Sequence, residues 1–236
     1  MRIVVGQGKP LGMTDRAYVD FKYDNLPVAT DQFDLGKYAL FMLSDKFNWY
    51  LRVTPNSLMV KVNLSGAPII LQRGKDPMKV FTYKLKDELK NRWEDDKSRL
   101  LVFSMRYQKE NGSNHYKAGI MFDLTTFQHR QIDDLKKLIK QVIVNAWSKT
   151  IKVWPDNNTM NVRFSDRCNF VPFIAGGPSY KDNIEQQFFQ LSTLAELRPL
   201  HKFGMQTTFQ FHHTRYKPKK RPTDATAATI PIDTSN

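Results

Sequence analysis

The sequence predicts an α+β protein, an antiparallel β-sheet with two amphipathic helices packed on one face. Three observations point there. Short runs such as 58–64 alternate apolar with polar residues between turn signals such as Asn111-Gly112-Ser113-Asn114. Two longer segments, 132–146 and 184–197, instead repeat apolar residues at helical spacing. The order strands, helix, strands, helix recurs along the chain, as expected of an α+β fold built of two unequal halves.

Each element follows in order. Residues 1–30 carry Gly6, Gly8, Pro10 and Gly12, then Asp24, Asn25 and Pro27, and read as an extended arm. The main domain is expected over 31–214. Residues 37–43 are apolar and fit either state. Residues 49–54 read as a strand that turns at Pro55-Asn56-Ser57 into 58–64. There Leu58, Val60 and Val62 share one face and Met59 and Lys61 the other. Gly66-Ala67-Pro68 and Arg73-Gly74-Lys75-Asp76-Pro77 break the chain. Residues 78–85 read as a strand with Phe81, Tyr83 and Leu85 on one face. The charged stretch 86–97 fits a short helix or a loop. Residues 99–107 and 117–122 form a strand pair around the Asn-Gly turn.

The first helix is expected near 130–148, with Ile132, Leu135, Leu138, Ile139, Val142, Ile143 and Ala146 in one stripe. Residues 150–154, 160–164 and 169–174 read as short strands. Ser179 can cap a second helix that Pro199 stops. A last strand within 203–214 places Phe209 and Phe211 on one face. Beyond it, 215–236 reads as a basic, then disordered, tail.

Charge narrows the function. The 236-residue chain has 36 Lys+Arg against 23 Asp+Glu, a formal net charge of +13. Nucleic acid, an anionic membrane surface or an acidic protein could each offset it. In the expected strands, basic residues alternate with aromatics. Phosphates need cations and unpaired bases need flat faces, so this interleaving predicts a single-stranded nucleic-acid surface. The expected stacking residues are Trp49, Tyr50, Phe81, Tyr83 and Tyr107. Arg52, Lys61, Lys79, Lys84, Arg106 and Lys117 are expected to hold phosphates. Loop cations Arg73, Lys75 and Lys109 would close over the strand. The tail cations Arg215, Lys217, Lys219, Lys220 and Arg221 would add affinity through counterion release.

Other chemistry finds little support in the residues. The lone Cys168 excludes internal disulfides and Cys-based zinc fingers, and points to a reducing compartment, the cytoplasm of a cell or of a host cell. His115, His129, His201, His212 and His213 form no metal-ligand motif. No phosphate-cradling loop or serine elbow is present, so no enzyme, cofactor or metal is expected. No apolar run is long enough to span a bilayer.

Residues 100–147 place curved strands, a polar turn at 111–114, the link Asp123-Leu124-Thr125 and an amphipathic helix in succession. This pattern resembles one unit of the coactivator-type and Whirly-type single-strand binders. In size, charge and its lone cysteine the chain also resembles the single-strand-binding RNA polymerase cofactors of N4-like bacterial viruses. That resemblance implies binding to single-stranded DNA at melted promoters and contact with a phage RNA polymerase. A role beside replication proteins is the companion expectation, and a homo-oligomer is expected. Two rivals remain: a viral nucleocapsid subunit that packages a genome, and a metal-dependent nuclease. For the nuclease, Glu94-Asp95-Asp96-Lys97 and Pro155-Asp156 occur in the wrong order.

Overall fold

One antiparallel sheet organises the chain, and helices cover both of its faces. The computed structural model describes residues 3–11, 17–18, 20–31, 35–67, 76–93, 99–108, 113–127, 132–153, 161–164, 170–196 and 207–214. In chain order these form β1 (Ile3–Leu11), β2 (Ala17–Tyr18), β3 (Lys22–Tyr23), β4 (Leu26–Pro27), β5 (Leu35–Gly36), α1 (Lys37–Val53), β6 (Ser57–Ala67), α2 (Pro77–Trp93), β7 (Leu100–Gln108), β8 (Asn114–Asp123), α3 (Ile132–Ile151), β9 (Val162–Phe164), β10 (Val171–Phe173), α4 (Tyr180–Ser192) and β11 (Thr207–Thr214). The main sheet runs β1-β11-β7-β8-β6-β10, every pair antiparallel, and β9 shares the outer edge of β6 with β10. Two short pairs, β2 with β5 and β3 with β4, stand apart from it.

The period of two sorts the sheet's side chains into two cores. Leu58, Val60 and Val62 of β6, Leu100 and Val102 of β7, and Ala118, Ile120 and Phe122 of β8 pack against α2 and α3. Met59, Leu101, Phe103, Met105 and Met121 point the other way and pack against α1 and α4. On the first face Trp147 is fully buried, meets Phe81 and Tyr116 edge to face, and donates its indole N–H to the Ser65 carbonyl at 2.7 Å. On the second, Phe47 sits against Phe173 and Phe188.

The α+β class with antiparallel pairing is as predicted. The placement of the helices on one face is corrected. The two expected helices are α3 and α4, and they lie on opposite faces, each beside a further helix. Those further helices fall where strands were expected. In 37–53 the buried residues Ala39, Leu40, Leu43, Phe47, Tyr50 and Leu51 recur at three and four, so 49–54 continues a helix instead of forming a strand. In 77–93, Met78, Phe81, Leu85 and Leu89 do the same. Asp76 caps that helix, its Oδ1 accepting the Met78 N–H at 3.0 Å, and Pro77 opens it. Residues 3–11, expected within an irregular arm, pair with β11 at the sheet's edge. The tail 215–236 lies outside the described residues. No described helix is long and apolar enough to cross a membrane.

Candidate functional site

The structure disperses the expected binding residues. Tyr50 is fully buried on α1, its hydroxyl 2.8 Å from the Arg99 carbonyl oxygen and 3.2 Å from that of Met121. Phe81 is fully buried on α2. Neither can offer a ring to a base, so both leave the stacking set. Trp49 is half-buried on α1 against the second core. Tyr107 is half-buried on β7 and stacks on His115, ring centroids 5.5 Å apart. Tyr83 stays exposed on α2.

The expected phosphate ligands divide in the same way. Lys61 Nζ donates to Thr193 Oγ1 at 3.0 Å and to the Gln190 carbonyl at 3.2 Å. Lys117 pairs with Glu196 at 3.0 Å. Both lysines thus fasten the sheet to the end of α4. Lys84 is half-buried, while Arg52, Lys79 and Arg106 are exposed. Arg73, Lys75, Lys109, Arg215, Lys217, Lys219, Lys220 and Arg221 lie outside the described residues, as do Cys168 and the acidic strings at 94–97 and 155–156. No cluster of metal-ligating side chains occurs among the described residues.

A different surface gathers aromatics. An open cleft of about 890 Å³ lies on the α1–α4 side of the sheet. The β3–β4 hairpin forms one wall. Asp24 and Asn25 take φ of 53° and 62°, the left-handed pair of a two-residue turn that short polar side chains tolerate. Along α1, Phe41, Asp45, Asn48 and Arg52 recur at three and four and form the floor. Tyr180 and Ile184 of α4 complete it. Phe41 is 54% exposed, and Tyr38, one turn earlier, and Phe21, just before the hairpin, are exposed too.

Polar contacts fix this wall to the floor. Asp24 Oδ2 accepts from Ser44 Oγ at 3.0 Å and from Asn48 Nδ2 at 3.1 Å. Asn48 Nδ2 also reaches Ser44 Oγ at 3.2 Å. Asp45 is balanced by Lys46 at 2.5 Å. Arg52 has no acidic partner among the described residues. Burial, and secondarily the Asp24 carboxylate, raises the Tyr23 phenol above its ordinary value, and burial alone raises Tyr180. Both phenols are therefore neutral at physiological pH. The cleft combines flat rings, neutral hydroxyls, a guanidinium with no acidic partner among the described residues, and fixed acceptors.

Sequence reading missed this site because its parts are 23 to 184 in the numbering and meet only through the fold. Of its lining residues the sequence reading named Arg52 as a phosphate ligand, and the Asp24-Asn25 pair marked a tight turn. No protein-family model, no curated protein and no solved structure matches this chain.

Proposed function

We propose that this chain is a non-enzymatic single-stranded DNA-binding protein, largely indifferent to sequence along most of the bound strand. Its stacking surface is the α1–α4 cleft and not a sheet face, because helices cover both faces of the sheet. One observation carries this reading: on a chain of net charge +13, exposed Phe41 and exposed Arg52 lie in one open cleft with Tyr23 and Tyr180. Bases would stack on the rings, and Arg52 would hold a phosphate beside them. The exposed cations Lys79, Lys90, Lys137, Lys140 and Arg106 would add sequence-independent attraction. The cellular setting proposed is the cytoplasm of an infected host, at DNA opened for transcription or replication.

The test is anisotropy of a labelled single-stranded oligonucleotide with Phe41→Ala and Arg52→Ala. Phe41→Ala should weaken binding by about 1–3 kcal/mol. Arg52→Ala should lower the slope of log affinity against log salt by about 0.7. Wild-type affinity and slope in both variants would contradict the placement of the site.

A further inference from the structure

We propose that the cleft selects a guanine at one position of the bound strand; this rests on the cleft being the base-stacking site. The observation is a pair of unused acceptors in its wall and floor. Asn48 donates its Nδ2 to Asp24 Oδ2 at 3.1 Å, which leaves Asn48 Oδ1 as an acceptor. Both hydrogen bonds to Asp24 fall on Oδ2, so Asp24 Oδ1 is the second. Neither oxygen has another partner among the described residues. The turn at Asp24 and the α1 helix at Asn48 fix both groups in advance, so little order is lost on binding.

Base chemistry then discriminates. On its pairing edge guanine presents N1–H and the N2 amine side by side, two adjacent donors. Adenine and cytosine present one amine beside a ring-nitrogen acceptor, which would face a lone pair. Thymine presents one N–H between two carbonyls. A pair of acceptors therefore fits guanine and leaves an unpaired or repelled atom with each other base. Phe41 and Tyr180 supply the rings for stacking, and Arg52 supplies a cation for the attached phosphate.

The experiment compares a labelled oligo-dT with the same oligomer carrying one central dG, and in parallel titrates free GMP and TMP by calorimetry. The dG oligomer should bind about tenfold tighter, and GMP should bind where TMP does not. In Asp24→Asn, which keeps a residue suited to the left-handed turn, the dG-to-dT ratio should fall to about one. Equal binding of the dG and dT strands, with no GMP preference, would overturn guanine selection while leaving strand binding intact. GMP binding without binding of either strand would overturn the strand-binding reading and keep the base pocket. Binding of none of the four ligands would overturn both.

Discussion

Phe41 and Phe81 have the same side chain and opposite roles. Phe81 is fully buried between the sheet and α3, where truncation would open a cavity, whereas Phe41 is 54% exposed at the cleft. Nothing local to either residue tells them apart; only the face each occupies on its helix does. The buried phenols give a pH prediction. Burial first, and then the Asp123 carboxylate, hold Tyr50 well above the ordinary phenol value against the Arg99 charge. Burial raises Tyr116 as well, with Arg106 opposing and Asp76 adding. Below about pH 10 both folded and unfolded chains keep these protons. Above it the unfolded chain loses protons that the folded chain retains, so stability falls as pH rises toward the folded values. Melting temperature should therefore drop steadily above about pH 10, and phenolate absorbance from these two rings should appear only with unfolding. A melting temperature flat through that window would contradict their burial.

At the scale of elements, legibility followed periodicity. The strand pair β7–β8, the inward and outward faces of β6, and the helices α3 and α4 were readable because each carries one clean period. α1 and α2 were not. In 78–85 the order Phe81, Tyr83, Leu85 satisfies a period of two, and Met78, Phe81, Leu85 satisfies a helix; only Leu89, beyond that window, decides between them. The Asp76-Pro77 pair was the overlooked sign, since it serves as helix cap and first residue as readily as a turn. Asp76→Ala should accordingly cost about 1 kcal/mol by urea unfolding, through loss of the Met78 N–H bond. Unchanged stability would argue that α2 needs no cap. The approach of α4 to the sheet is equally testable. A Cβ at Gly119 would overlap Leu191 Cδ2. Gly119→Ala should destabilise by about 1–3 kcal/mol, and Leu191→Ala in the same chain should recover part of that loss. Simple additivity of the two would mean that the helix does not press on β8.

On the scale of the whole molecule, the charge was legible from the sequence and the surface that uses it was not. Covering both sheet faces with helices removes the open β-surface that interleaved aromatics suggested, and leaves exposed Phe21, Tyr38 and Phe41 on the α1–α4 side and Tyr83 on α2. Asp24 is joined there to Ser44 and Asn48 by contacts that no spacing in the sequence encodes. Cations remain spread over the outer helices, so charge and stacking must act together if single strands are preferred. Anisotropy of labelled single-stranded and duplex DNA of equal length, at two salt concentrations, measures that most directly. The single strand should bind more tightly than the duplex, and its binding should weaken as salt rises. Equal binding of both forms would contradict it and favour a packaging protein that acts by charge alone.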